Sequence, residues 1–303
     1  MEIRIGAGGW AYFQVPGLDN LLAYSKAFDF VEVNSTFYEI PEFKTVRSWR
    51  RRVPKDFEFS VRCHKSVTHH YLLEPVAESI DNFDKMIRIC DLLGSQYLHI
   101  MTPPKMRFSA EKIQSIRNFL SSANTGGVRL AWEIRSLTGE LTNDIIKIME
   151  DFDIIHCVDL SVQTPSTKSD VLYTRLFGKG HHNLYQFTDG ELKEIYNRVR
   201  SSDTKKAIIT FHPVKMYEDA ARLKVFQKTG SFPKVTKNVG VKSLEEVLKE
   251  DAKFPTTRNE LVRKQGWKVI DLTETTRVHA TYYLERIQDG TYEKLEDIIK
   301  ELS

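Results

Sequence analysis

The feature that most constrains this chain is a repeated alternation. Short segments rich in β-branched and aromatic residues alternate with longer stretches of helical periodicity, eight times over about 230 residues. The strand candidates are Ile3–Ala7, Phe30–Asn34, Phe57–Cys63, Gln96–Thr102, Val128–Ile134, Ile154–Leu160, Val171–Phe177 and Ala207–His212. Between them lie amphipathic stretches at Leu18–Phe28, Phe43–Arg52, Val76–Leu93, Ala110–Ser121, Leu141–Asp151, Asp189–Arg200 and Met216–Lys228. Only the connection Ser161–Asp170, polar and Ser/Thr-rich, lacks a helical pattern and reads as a loop. Strands joined by crossover helices predict a parallel sheet. A doubly wound sheet could hold them, but eight βα units in this length match the count and size of a (β/α)8 TIM barrel. The reading is therefore an α/β barrel over residues 1–230.

After Gly230 the pattern changes. Residues 231–240, with Pro233, read as a connector. Residues 241–303 read as a small, mainly helical C-terminal extension that docks on the barrel. Its helix candidates are Leu244–Lys249, a stretch capped by Thr256 or Thr257 after Pro255, Thr275–Gln288 and Tyr292–Leu302, with one short strand within Trp267–Leu272. The 44 basic and 41 acidic residues leave a net charge of +3, which splits into −2 on residues 241–303 and +5 on the rest. Anion binding is thus expected on the barrel, and the tail is not a nucleic-acid arm. No apolar run approaches the ~20 residues of a membrane span. The opening MEIRIGAGGW has no signal-peptide pattern, and three scattered cysteines fit neither a disulfide framework nor a CxxC site. The expectation is a cytoplasmic protein with no membrane partner.

In a barrel the C-terminal strand ends converge on one mouth, where active sites form. Those ends carry Trp10 after strand 1, Glu32 and Asn34 on one face of strand 2, and Arg62, His64 and Lys65 at strand 3. Strand 4 offers His99 and Thr102, strand 5 Glu133 and Arg135, strand 6 Asp159, strand 7 Tyr173 and Arg175, and strand 8 His212. Charged residues inside strands are costly unless paired or used, so Glu133 with Arg135 is the strongest pair. The bland alternatives are a structural ion pair for Glu133 and Arg135, a satisfied interior histidine for His99, and solvated loop residues for His64, His69, His70, His181 and His182. Cys63 and Cys157 are read as packed small hydrophobes that face away from the mouth. Arg62, Lys65, Arg135 and Arg175 together favour an anionic ligand, and Trp10, Tyr38 and Phe37 could stack on a base or a sugar. A divalent metal is an open alternative, although no HxH, HExxH or DxD spacing is present. Gly6, Gly8 and Ala11 formally match a dinucleotide motif, but Pro16-Gly17 follows too soon for its helix, so a nicotinamide cofactor is not expected.

At these residues the sequence resembles the YecE-like family, domain of unknown function 72. The likeness rests on Ile5–Tyr12 (IGAGGWAY), on Val31–Tyr38 (VEVNSTFY) followed by Pro41 and Trp49, and on the Phe57–Lys65 strand with Thr68-His69. Pro103-Pro104, Trp132–Arg135, Leu172–Gly178 and Phe211 with Asp219–Ala221 continue it, over about residues 3–229. The resemblance implies a TIM barrel without a secured reaction, with folds similar to apurinic endonuclease and xylose isomerase-like barrels. Two positions depart from the pattern: Phe177 replaces a histidine, and His212-Pro213 replaces two asparagines.

The functional expectation is an enzyme, with hydrolysis among the reactions considered, acting on an anionic or nucleotide-like ligand at the mouth. Glu133, Asp159, His64 and His212 are the candidate catalytic residues. Trp10, Asn34, Tyr38, Lys65, Arg135 and Arg175 are the candidate substrate-binding residues. The alternatives are a non-catalytic nucleic-acid-binding module and a metal-dependent phosphodiesterase.

Overall fold

The computed structural model describes residues 1–135 and 141–302. The chain divides into two compact units, Met1–Leu176 with Val199–Phe211, and Phe177–Arg198 with His212–Ser303.

The first unit holds eight strands: β1 Glu2–Ala7, β2 Phe30–Val33, β3 Glu58–Arg62, β4 Tyr97–Thr102, β5 Arg129–Ile134, β6 Ile155–His156, β7 Val171–Leu176 and β8 Lys206–Phe211. They pair in parallel in the order β6-β5-β4-β3-β2-β1-β8-β7. A parallel bridge between Val158 and Thr174 carries contact across the remaining gap, giving a nearly closed barrel. Helices α1 Asn20–Ala27, α2 Phe43–Arg51, α3 Ala77–Leu93, α4 Ala110–Ser122, α5 Asn143–Asp151, α6 Asp189–Ser201 and α7 Met216–Thr229 alternate with the strands. No helix lies between β6 and β7, in line with the polar sequence there. Strand β6 is shorter than its apolar run suggests. The chain turns at Asp159, whose carboxylate accepts hydrogen bonds from Ser161 N at 2.9 Å and Ser161 Oγ at 2.6 Å.

Strand alternation stacks the barrel interior in layers. At the N-terminal end Glu58 receives Lys206 Nζ and Arg4 Nη2, each at 2.7 Å. Above it Phe30, Tyr97, Ala131, Ile155, Val171 and Ile208 form an apolar layer. The next interior positions are Glu32, His99, Glu133, Tyr173 and Arg175, so the layer toward the strand C-termini is ionic. Two motif residues fix the early strands. A Cβ on Gly6 would lie 2.1 Å from Phe30 O and 2.9 Å from Tyr24 Oη, so only glycine lets β1, β2 and α1 meet. Tyr24 Oη donates to Phe30 O at 2.9 Å and accepts from Ala7 N at 2.8 Å. Thr36 Oγ1 lies 2.7 Å from Val33 O and 2.6 Å from Arg62 O, which ties the turn after β2 to the end of β3.

In the second unit the C-terminal residues form α8 Val241–Asp251, β9 Thr256–Thr257, α9 Arg258–Gln265, β10 Val269–Asp271, β11 Arg277–His279, α10 Thr281–Leu284, β12 Thr291–Tyr292 and α11 Leu295–Leu302. Helices predominate, as read from the sequence. Thr257 caps α9, its hydroxyl accepting from Glu260 N at 3.2 Å. The expected helix Thr275–Gln288 is mostly replaced: Arg277–His279 pairs antiparallel with Val269–Asp271, leaving only the four residues of α10 helical. Thr291–Tyr292 pairs with Thr256–Thr257, so the last helix starts at Leu295 rather than Tyr292. The core gathers Leu244, Leu248, Leu261, Ile270, Leu284 and Ile298.

Buried Asp271 anchors this unit. Its Oδ1 accepts from Arg277 Nε at 2.9 Å, and its Oδ2 from the Val235 and Thr236 amides of the connector at 2.9 and 2.7 Å. Arg277 Nη1 also reaches Asp189 Oδ2 at 3.0 Å, and Arg222 Nη2 reaches Asp189 Oδ1 at 2.6 Å. No helix among the described residues is long and apolar enough to cross a membrane.

Two substitutions test this account by urea denaturation. Gly6→Ala should destabilise the barrel by about 3 kcal/mol, the upper end of overpacking costs. Arg277→Met should cost about 3–5 kcal/mol in the second unit, because it leaves the Asp271 charge buried without its cation. Wild-type midpoints for both variants would contradict it.

Candidate functional site

The ionic layer is built around Arg175 on β7, which is 2% exposed. Its Nε lies 3.1 Å from both carboxylate oxygens of Glu32 on β2, and its Nη2 lies 3.0 Å from Glu32 Oε1. Its Nη1 bonds Glu133 Oε2 on β5. Tyr173 Oη donates to Glu32 Oε2 at 2.9 Å and meets Ser60 Oγ at 2.7 Å. Glu133 Oε1 accepts from Arg135 Nε at 2.7 Å. His99, fully buried on β4, lies with Nε2 3.2 Å from Glu133 Oε2 and stacks on the Tyr173 ring at 6.1 Å. Neither ring nitrogen of His99 has a well-directed hydrogen bond among the described residues. The 3.2 Å approach to Glu133 is thus an electrostatic contact with poor hydrogen-bond alignment.

Charge settles the protonation states. Burial opposes ionisation of Glu133, but the Arg175 guanidinium, with Arg135 beside it, outweighs it and holds the carboxyl well below its usual range. Burial, with Arg175 adding to it, lowers His99 to about 4, so the imidazole is neutral at physiological pH. Burial and the adjacent Glu32 push the Tyr173 phenol well above its usual value.

Arg62 closes the layer from β3. It is 9% exposed, and its guanidinium carbon sits 3.9 Å from the centroid of the Phe37 ring. Its Nη2 touches the Met101 sulfur at 3.6 Å, and its Nε has no partner among the described residues. Burial, aided by Arg175, lowers its pKa to about 10, which leaves it a cation. The edge of the same Phe37 ring meets His69, centroids 5.0 Å apart. His69 belongs to a single π-helical turn, Ser66–His70, that follows β3. Its Nδ1 lies 2.9 Å from Thr68 Oγ1, and burial together with Arg62 and Arg135 keeps its pKa below the usual value.

The sequence-derived candidates separate on this geometry. Glu133, Arg135 and Arg175 come together, joined by Glu32. Arg175 is enclosed by carboxylates rather than presented to a ligand. Asn34 Nδ2 donates to Gly8 O at 3.1 Å and steadies the turn after β1. Trp10 packs edge-on against Trp49 at 5.3 Å. Tyr38 is 64% exposed, and Lys65 is exposed at the head of the π turn. His64 is held locally, with Nδ1 2.8 Å from Ser66 Oγ and Nε2 3.4 Å from Tyr38 O. The Asp159 carboxylate serves its own turn at Ser161. His212 lies in the second unit, where it stacks on Phe177 at 4.9 Å.

Two readings need correction. His99 is interior, as expected, but it is not hydrogen-bond satisfied. Cys157 does not face away from the layer: ligand atoms of His99, Glu133 and Cys157 lie within 4.8 Å of one another. Cys157 shares strand parity with Asp159, and that signal was available in the sequence. The grip of Arg62 on Phe37 carries no local sequence signal, because it joins the end of β3 to the turn after β2.

The three donors do not suit a divalent cation. Glu133 Oε2, the oxygen a metal would need, is already taken by the Arg175 guanidinium, whose charge repels a second cation at that spot. Burial and Glu133 also push the Cys157 thiol well above its usual value, against the thiolate a metal requires.

The family described as "Protein of unknown function DUF72" matches residues 4–230. The chain belongs to this family. The DUF72 chain is 24% identical over 123 residues to UPF0759 protein YecE of Escherichia coli (strain K12), an alignment covering 40% of this chain and 44% of YecE. It thus spans under half the length of the curated relative it matches. Among solved structures it is similar to a DUF72 family protein from Thermotoga maritima MSB8, with a TM-score of 0.61 at 18% identity, over 75% of this chain and 100% of that one. A DUF72 family protein from Enterococcus faecalis V583 aligns with a TM-score of 0.59 at 17% identity, over 75% of this chain and 94% of that one. At such identities the likeness establishes the fold.

The neutral His99 gives a pH test. Its folded pKa lies below the unfolded value, so it contributes stability above pH 6.5 that is lost as pH falls toward about 4. Wild type should therefore lose more stability than His99→Gln between pH 6.5 and 4 in paired denaturation curves. Parallel curves for the two proteins would show that His99 titrates normally.

Proposed function

We propose that the barrel mouth of this DUF72 protein binds the anionic group of a small substrate, and that the protein is an enzyme acting on it. Arg62 carries this reading. It is a nearly buried guanidinium whose direct contacts are an aromatic face and a thioether; Glu32 and Glu133 attract it without a hydrogen bond, and its Nε is left without an acceptor among the described residues. Burying a cation on such partners is costly, and a bidentate carboxylate or phosphate would remove that cost. The layer agrees in charge: guanidinium groups of Arg62, Arg135 and Arg175 face the two carboxylates Glu32 and Glu133, and His99 is neutral. Three guanidinium groups thus stand against two carboxyl groups, an excess that an anion would balance.

Arg135, with its side chain 42% exposed, supplies a second cation, and Lys65 is placed for a more distal contact. Asn34, Trp10 and Tyr38 belong to the loops that frame the ligand. His69 is the best-supported proton-transfer group. It is neutral, half-buried, and packed on the ring that holds Arg62. His64 is held by Ser66 and is a weaker choice. Glu133 is too strongly stabilised as an anion to be an effective base, and it serves to orient Arg135 and the substrate. The enclosure of Glu133 by Arg175 favours this reading over a metal-dependent phosphodiesterase.

The test is titration calorimetry with phosphate, sulfate and small carboxylates, followed by a turnover screen of phosphate esters and hydroxy acids. Arg62→Met should weaken anion binding by about tenfold or more, the worth of one charge-assisted hydrogen-bonded pair. The exposed control Arg107→Met should bind like wild type. His69→Gln should keep binding and lose turnover. Equal anion affinity in wild type and Arg62→Met would overturn the assignment.

A further inference from the structure

A second cavity lies wholly within the other unit. It has a volume of about 420 Å³ and is lined by Leu184, Tyr185, Trp267 and His279, with His182 and Gly180 also on its wall. This volume falls within the range of small-molecule sites, about 300–1,000 Å³.

Its walls are fixed in place. Tyr185 Oη donates to Glu191 Oε1 at 2.5 Å, and the Tyr185 ring meets Phe187 and His279 edge-on, each at 5.2 Å. His279 Nε2 lies 2.8 Å from Gln186 O. A carbonyl can only accept, so Nε2 carries the proton, and in the neutral ring Nδ1 keeps its lone pair. Trp267 Nε1 donates to Lys264 O at 2.8 Å, which sets the indole plane.

Two glycines let the chain pack closely within the wall. A Cβ on Gly180 would lie 2.1 Å from Leu184 O, and one on Gly266 would lie 2.3 Å from Val262 O and 2.6 Å from Thr281 Cγ2. The loop that carries Leu184 and Tyr185 passes through His182 and Asn183 with φ of 51° and 63°. Histidine and asparagine are among the non-glycine residues that enter this left-handed region most readily, and the two shape the turn that leads into Leu184 and Tyr185.

We propose that this cavity binds a planar nitrogen heterocycle bearing an exocyclic amine, the nucleobase class, separately from any anion at the barrel mouth. The faces of Tyr185 and Trp267 supply ring contacts. The Nδ1 of His279 accepts from the amine. The apolar edge of Leu184 closes one side, and the cavity has room for the attached sugar. The cavity and the barrel-mouth site share no residue, so either can fail alone.

The probe is adenosine, followed by fluorine NMR on protein labelled with 5-fluorotryptophan. The chain has four tryptophans, and the Trp267 resonance is assigned with Trp267→Phe. Adenosine should shift the Trp267 resonance saturably below about 1 mM, while the Trp10 resonance at the barrel mouth stays still. His279→Asn, and separately the rim variant Leu184→Phe, should weaken that binding about tenfold or more. Purine riboside, which lacks the exocyclic amine, should also bind about tenfold more weakly, the loss of one buried hydrogen bond. The proposal falls if adenosine leaves Trp267 unmoved, or moves Trp10 instead. It falls equally if purine riboside and adenosine bind alike, or if both variants bind as tightly as wild type.

Discussion

Arg175 is the side chain on which the rest of the barrel interior depends. It rises from β7 and grips Glu32 on β2 and Glu133 on β5, three strands that are not neighbours in the sheet. Two carboxylates at that depth could not both stay ionised without it, since burial alone would drive protons onto them. With it in place Glu133 is held as an anion, and the consequences spread. Glu133 orients Arg135, and Glu32 receives the Tyr173 phenol. The positive field helps keep His99 neutral and lowers Arg62. It also closes the layer to a metal. Such a cluster need not add net stability over an apolar core, because the desolvation of its charges offsets much of their attraction. What it contributes is a fixed set of protonation states beneath the mouth.

The two ends of the barrel use charge differently. At the N-terminal end Glu58, Arg4 and Lys206 sit in a partly exposed ring in which each charge has an opposite partner. That ring lies beneath the apolar layer, and its cations and carboxylates are matched in pairs. At the C-terminal end the pairing is incomplete, and the imbalance falls on Arg62, the residue nearest the loops. This asymmetry matches the usual division of a TIM barrel into a stabilising face and a functional face.

Much of this was legible in the residues. The eight strands and their helices follow from hydrophobic period, and strand alternation correctly placed Glu32, Glu133 and Arg175 on inward faces. Alternation also held the answer for Cys157, which the same rule puts inward with Asp159. What sequence could not supply was partner choice. The sequence offers Arg135 as the partner of Glu133, and the barrel brings Arg175 to it from 42 positions away. The link between Arg62 and Phe37 is similar, because the charge at the end of β3 and the ring in the turn after β2 each look ordinary in their own segment. In the C-terminal region the failure was one of length. Strands of two and three residues such as Thr256–Thr257 and Arg277–His279 are too short to show a period, and their pairing with distant partners decides their conformation.

The two departures from the family-like pattern have a common explanation. Phe177 and His212 directly follow β7 and β8, and they stack on each other with ring centroids 4.9 Å apart and planes 21° apart. Where the resembling pattern sets a histidine and an asparagine, this chain sets an aromatic ring and an imidazole in contact. The two substitutions are therefore a single exchange of a polar pair for a stacked pair. A stacked imidazole is held through its face, which fixes its plane without committing a ring nitrogen to the phenylalanine. The contact holds the His212 ring against the surface of Phe177.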